Sequence, residues 1–172
     1  GYDVQVVAPV EPKSETALHA RAQFSGEVAS GNWLRNPVIV DCLFGYGLDR
    51  EVGGAFAKLL ESLSASNCYK IAIDVPSVVH SDSGKVLGPL VQYDLTLALG
   101  AWKQAHFLMP AMRSMGARRL VRIGLELADM PACLSARPHF SAPAHDTHKY
   151  RRGLLAVVAG AMPGAPLLAA EG

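Results

Sequence analysis

A chain of 172 residues that is half hydrophobic, with 16 basic against 15 acidic residues, carries a formal net charge of +1. Its mean hydropathy of +0.19 and near-zero net charge exclude a disordered chain, a globally basic nucleic-acid binder and an acidic tail protein. Length alone sets an expectation of one domain, at roughly 150 residues per domain.

The elements alternate from the start. Val4 to Val10 is a β-branched run that ends at Pro12, and it predicts a strand. Pro12 to Gly26 is polar with periodic Ala17, Leu18, Ala20, Ala22 and Phe24, and it predicts a helix. Pro37 to Phe44 reads as a buried strand. Arg50 to Ser66, with Val52, Phe56, Leu59, Leu60 and Leu63, has helical spacing. Lys70 to Val75, Leu95 to Leu99 and Leu120 to Ile123 predict three further strands. Ser77 to Asp94 contains Gly84, Gly88 and Pro89 and predicts a loop with a short hairpin. Strands that are apolar almost throughout, alternating with helices, imply a parallel sheet covered on both faces.

The stretch from Glu126 to Thr147, with Pro131, Pro138 and Pro143, has neither period and reads as a linker. A new strand is expected at Gly153 to Gly160 and a helix start after Pro163. One strand and half a helix cannot bury their own apolar face, so this tail is expected to open a second, truncated domain. No stretch of about 18 apolar residues predicts a membrane span. Three cysteines, Cys42, Cys68 and Cys133, make no disulfide framework and fit a reducing, cytoplasmic setting.

Ligands of parallel α/β sheets bind at the carboxyl ends of the strands. Two such ends carry chemistry here. Asp41 closes an apolar run and is followed by the turn Gly45-Tyr46-Gly47-Leu48. Asp74 closes another and is followed by Pro76 and Ser77. An ionised carboxylate in an apolar run needs compensation. Two carboxylates and a hydroxyl from neighbouring strand ends suit a hard cation, or acid/base work by one carboxylate. The plainer alternative is that each Asp bonds the backbone of its own turn. Gly45 and Gly47 lack the third glycine of a dinucleotide fingerprint. Cys42 reads as inert packing inside its strand. Met109, Met112 and Met115 read as helical packing, and Arg113, Arg118, Arg119 and Arg122 as a solvated basic face. His139, His145, Asp146 and His148 match no standard metal spacing and read as solvated linker.

At these residues the sequence resembles a known family. DCLFGYGLDREVGGAFAKLLESLSAS, then KIAIDVPS, then DLTLALGAWKQAHFLMP are similar to the NAD(P)H-hydrate epimerase domain, also called the YjeF N-terminal domain. After the linker, HKYRRGLLAVVAGAMPGAPLLAA resembles the opening of the ADP-dependent NAD(P)H-hydrate dehydratase domain. The resemblance implies a Rossmann-like three-layer αβα sandwich with a mostly parallel sheet, truncated at its N-terminus. It implies an epimerase domain over 1–126, a linker over 127–147 and a truncated dehydratase start over 148–172. It further implies epimerisation of the R and S forms of hydrated NADH or NADPH, as part of a bifunctional epimerase/dehydratase.

Carried over residue by residue, Asp41 and Ser77 would ligate K+. Gly45, Tyr46, Gly47 and Leu48 would contact the hydrate's phosphates, and Asp74 the reacting ring. The catalytic acid/base role falls to Asp74 from its placement and from the proton shuttle that loss and return of hydroxide require. ADP or ATP would serve only the missing dehydratase part. Hydrated NADH or NADPH is the expected partner, without membrane or nucleic acid, and a homo-oligomer is allowed for. The family's Asn-Asn-Gly-Gly-Asp-Gly loop would precede Gly1, and the fragment alone is expected to be inactive and prone to aggregate. Val78 stands where the family has glycine, His80 where it has an acidic residue, and Lys103-Gln104-Ala105 where it has Lys-Pro-Gly. These departures motivate the alternative of a non-catalytic nucleotide- or RNA-binding module on the same fold.

Overall fold

Four short parallel strands, paired in the order β3-β4-β5-β6, make the main sheet. They are β3 (Val38–Asp41), β4 (Tyr69–Ile73), β5 (Leu95–Leu99) and β6 (Ala117–Val121). The computed structural model describes residues 3–30, 36–126, 132–135, 137–139, 141–148, 151, 156–161 and 164–171. Two compact units are distinguished, Gly1–Asp129 and Met130–Gly172.

In the first unit, β1 (Val6–Val7) pairs in parallel with β2 (Val28–Ala29) as a separate two-stranded sheet. Between them, α1 (Glu15–Ala22) starts at Ser14, whose Oγ accepts from the Ala17 N–H at 3.3 Å. This cap sets the helix start at Glu15, inside the predicted span. α1 buries none of its residues, so its ends rest on capping rather than packing.

α2 (Gly54–Ala65) follows β3 and buries Leu60 and Leu63. These pack with Ala72 of β4 and with Val78, Val91 and Tyr93, and Ile39 of β3 lies against the same cluster. Because side chains alternate along a strand, the in-register residues Asp41, Ala72 and Thr96 share this face, and all three are buried. Thr96 Oγ1 donates to the Met115 carbonyl at 2.8 Å, joining β5 to the segment after it. That segment holds two single 3-10 turns, Gln104–Phe107 and Ala111–Ser114. The opposite face carries Val38 and Val40, which stay 49% and 51% exposed.

The α/β, Rossmann-like parallel character agrees with the expectation from sequence, while several boundaries move. β6 begins three residues before the predicted Leu120, at a turn where Gly116 has φ 57°. Arg118 and Arg119 hide its start from a reading by hydropathy. The loop from Ser77 to Asp94 holds a minimal antiparallel bridge, Val79 with Val86. The three methionines do not share a helix: they fall in and around the 3-10 turns, with Met115 buried and Met109 exposed. Cys42, expected as packing, is exposed, because it alternates to the side of β3 opposite Asp41.

In the second unit, α3 (Gly164–Glu171) realises the predicted helix start. Of the expected strand from Gly153 to Gly160, residues 153–155 lie outside the described residues. Residues 156–160 form no strand, and no described strand of this unit offers them a ladder. Asp146 and Arg151 pair at 3.9 Å, both exposed.

Candidate active site at three strand ends

The carboxyl ends of β3, β4 and β5 lie side by side, and each delivers one charged group at or after its last residue. β3 delivers Asp41, β4 delivers Asp74, and β5 delivers Lys103 after the turn at Gly100 (φ 73°).

Asp41 and Ser77 meet as the sequence reading expects. Asp41 is 4% exposed. Its Oδ1 accepts from Ser77 Oγ at 2.6 Å and from the Leu43 N–H at 3.1 Å. Its Oδ2 accepts from the Ser77 N–H at 3.4 Å and, in a short bond, from the Tyr93 hydroxyl. Burial first, then the Asp41 charge and their shared hydrogen bond, raise the Tyr93 phenol well above its ordinary range, so it stays a donor. Ser77 Oγ also accepts from the Phe44 N–H at 3.1 Å and lies 3.4 Å from the Phe44 carbonyl. Phe44 stacks edge-on against Phe56 of α2, with 4.9 Å between ring centroids, which ties the loop after β3 to the helix.

For K+, these oxygens are of the right kind: a carboxylate, a hydroxyl and a main-chain carbonyl converge. The four acceptor positions of the carboxylate already face donors. Ser77 can free a lone pair by turning its proton from Asp41 to the Phe44 carbonyl. The donor set therefore fits a hard cation, at the cost of the Ser77–Asp41 bond. Among the described residues, no three or more His, Cys, Asp or Glu side chains gather as a metal-binding group.

Among the described residues, Asp74 is the one non-glycine residue with a left-handed backbone, φ 69°. Its Oδ1 pairs with the Lys103 ammonium in a short contact and accepts from the Leu99 N–H at 3.3 Å. Its Oδ2 accepts from the Tyr46 N–H at 3.3 Å. A Cβ added at Gly45 would stand 3.6 Å from that same oxygen. Gly45 and Tyr46 are thus brought to Asp74. Gly47, at φ 99°, and Leu48 continue the turn, and the partners of Asp74 do not include them. The Tyr46 side chain is largely exposed.

Lys103 spends one N–H on Asp74 and a second on the Leu99 carbonyl at 2.8 Å. An ammonium has three donors, so one remains. With both side chains only 13–15% exposed, the pair is largely shielded from water, and its attraction is stronger than that of a surface pair.

His106 completes the arrangement. It is fully buried and sits between Asp74 and Lys103: Nε2 is 2.7 Å from the Asp74 carbonyl, and the Lys103 N–H donates to Nδ1 at 2.9 Å.

Sequence reasoning gave no role to Lys103, noted only as the lysine of the family's Lys-Pro-Gly, and missed His106 and Tyr93. Lys103 could have been found by applying the strand-end rule a third time, to β5. The other two act through contacts 32 and 52 residues away in sequence, which no local pattern reports. Val78 does not crowd the ligand side: it is buried in the core cluster beside α2. His80 orders its own turn, accepting at Nδ1 from the Asp82 and Ser83 N–H groups at 3.3 Å each. Packing around the thiol, then the Asp41 charge, hold the Cys42 pKa above its ordinary value, which disfavours a nucleophilic thiolate. Part of the basic patch is spent internally, since Arg118 bonds the His106 carbonyl and lies 5.1 Å over the Phe107 ring.

The family model described as YjeF-related protein N-terminus matches residues 2–105. The chain belongs to that family. It is 36% identical to a bifunctional NAD(P)H-hydrate repair enzyme Nnr of Thermosynechococcus vestitus, over 93% of this chain and 35% of that protein. It is 29% identical to an NAD(P)H-hydrate epimerase of Levilactobacillus brevis, over 75% of this chain and 63% of that protein. A bifunctional enzyme of the same name from Thermofilum pendens is 34% identical over 78% of this chain. The chain spans about a third of the length of the bifunctional relatives. No helix among the described residues is long and apolar enough to cross a membrane.

Proposed function

We propose that this chain forms the epimerase site of an NAD(P)H-hydrate repair enzyme, with Asp74 as its catalytic acid/base. The observation that carries the proposal is the Asp74–Lys103 pair at three adjoining parallel strand ends, with the Tyr46 amide on the same carboxylate. The names of the relatives supply the substrate class, and they do not favour the RNA- or nucleotide-binding module.

The chemistry follows from the pair. Epimerisation at C6 breaks the C6–O bond as the leaving hydroxyl takes up a proton and departs as water. Water then adds to the opposite ring face and gives a proton back. The site must hold a donor and an acceptor together through both halves. The Asp74 carboxylate accepts, and the Lys103 ammonium keeps a donor beside it. The ammonium also orients that carboxylate, in a pair that is largely shielded from water.

The turn Gly45–Leu48 presents backbone amides to the substrate's phosphates, the Tyr46 N–H being engaged by Asp74 before substrate arrives. K+ would be held by Asp41 and Ser77, with the Phe44 carbonyl beside them. There it would supply a fixed positive charge next to the phosphate turn. We further propose an epimerase domain over 1–126, a linker over 127–147 and the start of a dehydratase domain, with its own ADP or ATP, over 148–172. The alignment to the bifunctional relative supports this, since it covers 93% of the chain whereas the family match ends at residue 105. A cytoplasmic setting suits the three free thiols.

The test is an assay of the purified R hydrate in a polypeptide of the relatives' full length that carries this chain at its matched place. Conversion to the S form above the spontaneous rate, stimulated by K+ over Li+, is expected. Conversion at the spontaneous rate in both salts overturns the proposal.

A further inference from the structure

We propose that His106 is a positioning residue that clamps Asp74 in its left-handed conformation and so aims the Asp74 carboxylate at Lys103 and the Tyr46 amide. The clamp itself is read from geometry, and its catalytic consequence rests on the function proposed above.

That conformation has a steric cost. A non-glycine residue at φ 69° is held against roughly 1–2 kcal/mol of steric preference. Such a residue persists only where its surroundings over-determine it. Asp74 is fixed on both sides of its Cα. Its N–H donates to the Leu97 carbonyl at 2.8 Å, a bond of the β4–β5 ladder. Its own carbonyl has left the ladder and is met by His106 Nε2 at 2.7 Å.

The proton on Nε2 of His106 follows from its partner. A carbonyl can only accept, so Nε2 must carry a proton. Nδ1 lies 2.9 Å from the Lys103 N–H and 3.0 Å from the Lys103 carbonyl, so it can accept from the one or donate to the other. His106 therefore carries a proton at Nε2, and burial, the largest influence on it, lowers its pKa and so favours the neutral ring. Nothing in this arrangement lets the ring touch the substrate-facing carboxylate oxygens. Its action passes through the Asp74 backbone.

The ring is itself fixed. It stacks edge-on against Trp102 at 5.3 Å between centroids, and its main-chain carbonyl is bonded by Arg118 of β6. Through one side chain the turn after β5 thus sets both members of the pair: the carbonyl of Asp74 and the amide of Lys103. If the Nε2 bond is lost, Asp74 can relax toward negative φ. Its carboxylate then swings away from Lys103, and misplacement of a reacting group by about 1 Å can cost up to 100-fold in rate.

Two substitutions separate clamping from space filling. His106→Gln places an amide donor where Nε2 stood. His106→Asn keeps an acceptor near Nδ1 but does not reach the Asp74 carbonyl. In the full-length polypeptide, His106→Asn is expected to lower kcat about 10-fold or more with KM within about twofold, and His106→Gln to keep most of kcat. In parallel, the Asp74 Cα and Cβ chemical shifts, which report φ, are expected to move in His106→Asn and to stay in His106→Gln. Equal effects of the two substitutions, or no effect of either, overturn the clamp.

If His106→Asn does not fold, the parent protein decides through 15N-histidine spectra. A protonated Nε2 with scalar coupling to the Asp74 carbonyl supports the clamp, and an Nε2 that carries no proton, or shows no such coupling, overturns it. A parent that does not epimerise defeats the proposed function alone, and the chemical-shift comparison then still decides the clamp.

Discussion

Asp74 serves two masters with one residue: its carboxylate faces the Lys103 ammonium and the Tyr46 amide, and its carbonyl faces His106. Lys103→Met keeps the length of the stem and removes the donor. It is expected to lower kcat for epimerisation about 100-fold, since it takes away both the remaining donor and the ion-pair partner that orients the Asp74 carboxylate. Measurement of kcat and KM checks this, and a kcat within twofold of the parent would contradict it. Tyr93→Phe tests the neighbouring carboxylate. It leaves a buried Asp41 oxygen one donor short, at about 2 kcal/mol, which for a chain of this size is a fall in Tm of roughly 4–8 °C.

How legible was the site at this scale? Asp41, Asp74 and Ser77 stand out because a carboxylate inside an apolar strand is chemically anomalous by itself. Lys103 does not, because a lysine after a strand is the commonest of surface residues. Its partner 29 residues away is what makes it unusual. Tyr93 and His106 are apolar-looking residues in apolar surroundings until the fold turns their one polar atom toward Asp41 and Asp74.

At the scale of elements, the strands that carry the site were the most legible. β3, β4 and β5 are short apolar runs with polar boundaries, and the observed spans fall inside or within one residue of the predicted ones. β6 was read late because two arginines open it. The element that delivers Lys103 and His106 was not visible at all, since a single 3-10 turn has no period to detect.

Gly116 shows what the turn into β6 requires. At φ 57°, an added Cβ would stand 2.4 Å from the carbonyl oxygens of Tyr93 and Asp94. Gly116→Ala is therefore expected to cost at least about 2 kcal/mol, from the left-handed backbone and from overlap with rigid backbone. Chemical denaturation checks this, and an unchanged midpoint would contradict it.

The first 3-10 turn also gives the fold a pH dependence. His106 has a lowered pKa in the folded state, chiefly through burial, whereas the unfolded chain takes up its proton near pH 6.5. Below that pH the unfolded state binds more protons, so stability is full above about pH 6.5 and declines as pH falls. His106→Gln removes that contribution, so its stability should vary less than the parent's between pH 7 and 5. An equal slope in the two proteins would contradict the assignment.

At the scale of the molecule, one face of the main sheet is covered by α2 and the other keeps Val38 and Val40 half-exposed. Parallel sheets are normally buried on both faces. The isolated chain should therefore self-associate, and Val40→Lys should reduce that association by placing a charge on the open face. Sedimentation velocity over a range of concentrations checks this. A parent that stays monomeric at every concentration would contradict it.

The central claim is that Asp74, held by Lys103 at the strand ends, carries proton transfer in hydrate epimerisation. Its most direct test is chiral separation of the R and S hydrates over time, with Asp74→Asn beside the parent in the full-length polypeptide with K+. Asparagine preserves the shape and the Tyr46 contact but can neither accept a proton nor pair with the ammonium. The expected result is rapid equilibration by the parent and a rate for Asp74→Asn that approaches the spontaneous one. Equilibration by Asp74→Asn at the parent's rate would contradict the account.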